Sequence, residues 1–251
     1  MSKLIAVAGK GGTGKTTVAS LIIKHLIATR RTPIFAVDAD PNYTLGEALG
    51  IEVEKTIGMM REDFIGERAE IPAGMAKEAV LERQFHASVQ EAKDVDLLVM
   101  GRQEGPGCYC YLNNVLRNFL DMLTGDYKYV VVDNEAGMEH LSRRTTQKID
   151  VLLTVCDHSV KAARAAGRIA ELVDELQLRV KDRFVIVNRA PDEISKEVQA
   201  EIDRVDLKVL AILPEDENIT AADVKGRPLV DLPDDIPSYM ALISELEKLL
   251  T

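Results

Sequence analysis

One stretch limits what this chain can fold into more than any other. In "LIAVAGKGGTGKTTVASLII", residues 4–23, an apolar run breaks on four glycines and resumes with helical spacing. From Gly9 to Thr16 it satisfies G-x-x-x-x-G-K-[ST], and a strand before and a helix after give that spacing its meaning. Glycines let successive backbone N–H groups turn inward around an anion, at angles a side chain forbids. A helix opening near Lys15 adds about half a positive charge at its amino end, aimed at the same anion. Phosphates are therefore expected on Gly11, Gly12, Thr13, Gly14, Lys15, Thr16 and Thr17. Lys15 should reach the β- and γ-phosphates, and the Thr16 hydroxyl should hold Mg²⁺.

The remainder of the chain repeats the same alternation. "LIAVAG", "PIFAVD", "VDLLVMG", "YVVVDN", "VLLTVC", "FVIVNR" and "VLAILP" each read as a short buried strand, separated by segments of helical spacing. Strands that are apolar throughout, rather than at alternate positions, belong in a parallel sheet covered on both faces. The expected fold is α/β, a doubly wound, mostly parallel sheet flanked by helices, in one domain over residues 1–251. Residues 50–92 show no strong strand and read as helices between two strands. No run approaches the ~18 apolar residues of a membrane span. The amino terminus reads as a strand rather than a secretory signal, and three cysteines make no disulfide framework, so a cytoplasmic protein is expected. The net charge of −10 is concentrated late: residues 191–251 hold 15 acidic against 6 basic residues. Such a surface repels nucleic acid and anionic lipid, so neither is an expected partner.

A second lysine, Lys10, opens the glycine loop, and "KGGTGKT" resembles the deviant phosphate loop of the MinD/ParA/nitrogenase iron protein class, the SIMIBI type of P-loop NTPase. The resemblance implies an ATP-hydrolysing homodimer, with Lys10 crossing to the partner's nucleotide to stabilise transition-state charge. Two carboxylate stations follow strands. In "VDADPN" the resemblance assigns Asp40 to orienting the attacking water, with Asp38 the weaker candidate; in "YVVVDNEAG" it assigns Asp133 to Mg²⁺ through water. Helix capping is the alternative for both. The resemblance also places adenine on Asn188 of "VIVNRAP" and on Pro214 and Glu215 of "LPEDE", with Arg189 among the nucleotide-binding residues. No N/T-K-x-D signature is present, which favours ATP over GTP.

Two of the three cysteines stand one residue apart, Cys108 and Cys110 in "GPGCYCYLNN". In an extended chain, residues i and i+2 lie about 6.6 Å apart on one face. Two thiolates can then lean toward one metal, and a two-fold axis can supply the other two of a tetrahedral S₄ site. Packed thiols are the competing reading. Together with "DNEAGMEHLSRRT", the C-Y-C element resembles the CooC family, ATPases that aid nickel insertion into carbon monoxide dehydrogenase, and related factors for acetyl-CoA synthase. That resemblance implies a metallochaperone delivering nickel to such a client; the ligand set leaves zinc open. Cys156 reads as core, and His140 as a transient metal ligand or a surface residue. The alternatives are a positioning ATPase like MinD or ParA, and an iron–sulfur electron donor like nitrogenase iron protein. The acidic tail "DIPSYMALISELEKLLT" lacks the basic face of a membrane anchor.

Overall fold

The structure is a computed structural model, and it describes residues 2–66, 77–102, 125–136 and 148–250. Its strands are β1 (Lys3–Gly9), β2 (Ile34–Asp38), β3 (Val89–Gln90), β4 (Val95–Val99), β5 (Tyr129–Ala136), β6 (Lys148–Asp157), β7 (Arg179–Asn188) and β8 (Lys208–Ile212). They form one sheet in the order β3-β4-β2-β5-β1-β6-β7-β8, parallel except for β3, which runs antiparallel to β4. The mostly parallel α/β sheet read from the apolar runs is thus present. Each of the seven runs contains a strand. Residues 67–76 of the stretch 50–92 lie outside the described residues; among those described, the exception to the helical reading is β3, whose two residues are too few to produce any periodic pattern.

Helices cover both faces: α1 (Lys15–Ala28), α2 (Leu45–Leu49), α3 (Ile57–Gly66), α4 (Lys77–His86), α5 (Val160–Glu175), α6 (Lys196–Asp203), α7 (Glu217–Lys225) and α8 (Pro237–Leu250). β1 shows why its strand has no polar face. Ile5 and Val7 enter the cluster around α1 and α8, while Leu4, Ala6 and Ala8 enter the opposite one with Phe85 and Val173. Full burial of a side chain such as Ile5 contributes roughly 1.5–3 kcal/mol.

α1 is enclosed on almost every side, so its polar residues are buried as well. Lys24 is 7% exposed, paired with Asp234 at 2.7 Å and lying over the Tyr239 ring. His25 meets the Tyr239 hydroxyl at 3.2 Å and Glu247 at 2.5 Å, and Arg31 reaches both Glu247 oxygens at 2.8 and 2.7 Å. Glu247 thereby straps α8 to the helix that begins at the phosphate loop. Among the described residues, no helix is long and apolar enough to cross a membrane.

The Arg31 hydrogen bond, followed by that of His25, holds the Glu247 carboxyl at about 2 against the usual burial effect. The folded state therefore binds fewer protons than the unfolded chain. The stabilisation is complete above the ordinary carboxyl range near 4.5 and is lost as pH falls toward 2. Urea midpoints measured from pH 7 to 3.5 should show Glu247→Gln less stable than wild type at neutrality. The gap should narrow below about pH 4.5.

Candidate functional site

The phosphate-loop and base-site residues expected from the sequence lie together at the carboxyl ends of the strands, where open α/β sheets bind ligands. β1 ends at Gly9, and the loop enters α1 through Gly14, which caps the helix in the left-handed region at φ 91°. Two close approaches require glycine here. A Cβ on Gly9 would stand 2.3 Å from the Val155 carbonyl oxygen, and one on Gly14 would stand 2.2 Å from Asn188 Nδ2. Loop carbonyls are turned to internal donors: Lys10 O accepts from Thr13 N at 3.3 Å, Thr13 Oγ1 at 2.8 Å and Lys15 Nζ at 3.5 Å. Asn188 Nδ2 donates to Thr13 O at 2.9 Å, and the Arg189 guanidinium donates to Gly12 O.

A cleft of about 660 Å³ opens over this loop. It is lined by Gly11, Gly12, Gly14, Lys15, Thr16 and Thr17 on one side and by Asn188, Arg189, Pro214 and Glu215 on another, with Asp40 at the wall. Thr13 is buried beneath, and Lys10 is exposed at the start of the loop. Among the described residues, Lys10 Nζ has no carboxylate partner. Asp133 sits below the cleft, 1% exposed, and its Oδ2 accepts from the Thr16 hydroxyl at 2.6 Å.

The carboxylates divide into two kinds. Asp38 is fully buried, and both its oxygens are occupied: Oδ1 accepts from Asp40 N at 3.0 Å and Oδ2 from Leu45 N at 2.9 Å. Burial pushes its carboxyl up to about 6, with those two N–H groups pulling the other way. It is a brace for the turn that carries Asp40. Asp40 is only partly covered; its Oδ1 accepts from Asn42 N at 2.9 Å and Asn42 Nδ2 at 3.1 Å. Asp133 differs from both. Burial pushes it up to about 7 despite the Thr16 hydrogen bond and the nearby Lys15 ammonium, and its Oδ1 is buried with no partner among the described residues. A buried carboxylate with one orphaned oxygen beside a threonine hydroxyl is a donor set that fits a hard divalent cation such as Mg²⁺.

Several cleft residues were not read from the sequence. Thr44 places its hydroxyl 3.4 Å from that of Thr16. Asp216 caps α7, accepting from Asn218 N at 3.0 Å, and takes Ser238 N on its other oxygen at 3.0 Å. Ser238 Oγ donates to Pro214 O at 2.9 Å, so the first turn of α8 braces the loop beside Asn188. An Asp directly before "ENITAADVK" was a visible capping signal; Ser238 carried none. Cys156 is 1% exposed within the core under α5, and burial pushes its thiol up to about 12, the state of an inert packed thiol. Cys108, Cys110 and His140 lie outside the described residues, and among those described no cluster of three or more His, Cys, Asp or Glu is placed to hold a metal.

Comparison with known proteins gives three kinds of match. Residues 4–229 match the family described as the CobQ/CobB/MinD/ParA nucleotide binding domain. An uncharacterized ATP-binding protein of Methanocaldococcus jannaschii is 44% identical over 249 residues, 98% of each chain. The carbon monoxide dehydrogenase accessory protein CooC of Rhodospirillum rubrum is 28% identical over 240 residues, 91% of this chain and 89% of that one. Among solved structures, the septum site-determining protein MinD of Pyrococcus horikoshii, complexed with Mg-ADP, superposes with a TM-score of 0.66 at 19% identity over 99% of this chain and 96% of that chain. That last likeness is one of fold.

The loop geometry makes a differential prediction. Gly12 and Gly14 both have positive φ, 77° and 91°, but a Cβ on Gly12 meets nothing within 4 Å. Gly12→Ala should cost about 1 kcal/mol of stability from backbone strain alone. Gly14→Ala should cost at least about twice that, because Asn188 must also release Thr13. Equal melting temperatures for the two variants would contradict the contact between Gly14 and Asn188.

Proposed function

Because the chain belongs to the CobQ/CobB/MinD/ParA nucleotide binding domain family, we propose that it is a homodimeric ATPase that uses hydrolysis to load nickel into a client enzyme. The observation that carries the ATPase reading is the orphaned Asp133 Oδ1 beside Thr16, at the foot of a glycine loop with a buried lysine. Backbone N–H groups of residues 11, 12 and 14–16 bind the phosphates, Thr13 N being taken by Lys10 O, and Lys15, 7% exposed and tethered to Lys10 O, meets the β- and γ-oxygens. Magnesium, held by Thr16 and through water by Asp133, would neutralise charge on the β- and γ-oxygens. Asp40, fixed by Asp38 and capped by Asn42, orients the attacking water. Asn188 gives one Nδ2 proton to Thr13 O, which fixes the amide plane, and its Oδ1 can accept from the exocyclic amine of adenine. Pro214 and Glu215 flank the base.

Lys10 has no acceptor within its own subunit's described residues, which suits a role in trans: a partner's triphosphate supplies the missing anion. The metal half of the reading is supported by the CooC match over most of both chains and by the Cys108-x-Cys110 spacing. Nickel is then cargo, shared by four thiolates across the two-fold axis. Zinc remains an alternative cargo for the same ligands. ATP and ADP states would differ in subunit approach and so in metal affinity, a reciprocal coupling. The protein would act in the cytoplasm, on a carbon monoxide dehydrogenase or acetyl-CoA synthase type client.

Two measurements separate the halves. Lys10→Ala should keep its affinity for ADP and its melting temperature while ATP turnover falls at least about 10³-fold; turnover at the wild-type rate would reject the trans role. Cys108→Ser and Cys110→Ser should each lower bound nickel per dimer, measured by elemental analysis of the dimer peak. Unchanged stoichiometry with ATPase activity intact would leave an ATPase of another purpose.

A further inference from the structure

Resting on the nucleotide-binding reading above, we propose that Arg189 is a positioning residue for the phosphate loop. Its guanidinium holds the Gly12 carbonyl, and His158 holds its backbone carbonyl, so that the loop is shaped for a triphosphate before one arrives. Arg189 directly follows β7 and has φ 51°, a left-handed backbone that residues other than glycine occupy at a cost. Such a conformation persists where the surroundings over-determine it. Here the Arg189 carbonyl accepts from His158 Nδ1 at 2.8 Å, and the guanidinium donates to Gly12 O.

The neighbouring residue completes a two-point grip. Asn188 Nδ2 donates to Thr13 O at 2.9 Å, so consecutive residues leaving β7 hold consecutive carbonyls of the loop. The loop occupies the Lys10 carbonyl itself, with Thr13 and Lys15 as donors. A carbonyl turned toward the cleft would repel a phosphate oxygen; one already accepting a charge-assisted hydrogen bond is kept from turning. His158 stands in the turn between β6 and the Ser159 cap of α5. The amino end of α5 thus supports the loop through one arginine. The resemblance gives Arg189 only as a nucleotide-binding residue, and its contact here is with the loop backbone. A residue that shapes the binding loop changes ground-state and transition-state binding alike, so it should act on affinity and not on turnover.

The test is titration of the full-length protein with fluorescent ATP and ADP, with steady-state hydrolysis, for wild type, Arg189→Gly, His158→Ala and the double variant. Glycine suits φ 51°, so Arg189→Gly removes the guanidinium without new backbone strain. The expected result is a Kd raised about tenfold for both nucleotides in Arg189→Gly, a smaller rise in His158→Ala, and a double variant no weaker than Arg189→Gly. Turnover at saturating ATP should change less than about twofold, with the thermal midpoint unmoved. Unchanged affinity in Arg189→Gly, additive effects in the double variant, or slowed turnover at constant Kd would each overturn the inference while leaving the ATPase reading in place. A wild type with no affinity for either nucleotide would remove both.

Discussion

An open ring of backbone N–H groups has no reason to stay open in water unless the chain around it holds the shape. That constraint organises much of this protein. Gly9 has to lie against the Val155 carbonyl at the β1–β6 junction, leaving no room for a side chain. The helix leaving the loop is anchored along its length, including by Glu247 from the far end of the chain. Exposed helices keep polar residues on a wet face; α1 instead buries Lys24 and His25 and needs Asp234, Tyr239 and Glu247 to satisfy them. The polar contacts between α1 and α8 are therefore part of what fixes the direction of the loop.

The same logic separates two acids that are neighbours in space. Asp38 and Asp133 stand in register across β2 and β5, both buried and both pushed upward by that burial. Donors decide their fates. Asp38 receives two backbone N–H groups and becomes part of the architecture, while Asp133 receives one hydroxyl and keeps a bare oxygen. Buried polar atoms without partners are rare in folded proteins, and a cation or ordered water is the usual explanation.

Much of the architecture could be read from the sequence, because strands buried on both faces must be apolar at every position. "LIAVAG" and "YVVVDN" permit little else. The glycine loop was legible for a similar reason: its spacing describes backbone geometry, and backbone geometry is local. Division of labour among the acids was not legible, since "VDADPN" offers two aspartates and nothing in it says which one Leu45 N will reach. Nor was the role of Asn188 under the loop, because Thr13 lies 175 residues away and only the sheet order brings them together. The β6 and β7 strands run three or more residues beyond their apolar runs at the amino end. There Lys148 and Arg179 stand in register at the sheet's polar margin, and Ile149 and Val180, the next pair, are isolated apolar residues among charged ones, too few to mark a strand.

Backbone hydrogen bonds tie the acid-bearing segments to the end of β4. The Asp38 carbonyl accepts from Met100 N at 2.8 Å, and the Met100 carbonyl accepts from Gly58 N at 2.9 Å. Ala39 N donates to Asp133 O at 2.9 Å. One backbone seam therefore joins the turn carrying Asp40, the strand carrying Asp133 and the end of β4. Contacts along it are tight: a Cβ on Gly58 would stand 2.3 Å from Arg102 O, and one on Gly101 would stand 2.6 Å from Thr56 Oγ1. Close-packed backbone of this kind transmits displacement, because it has no slack in which to absorb it. From Arg102 the sequence runs on to Cys108 and Cys110 within eight residues. On the proposed reading, a nucleotide-dependent shift at Asp40 would reach the end of β4 through this hydrogen-bonded seam, the point from which the sequence leads on to the two cysteines.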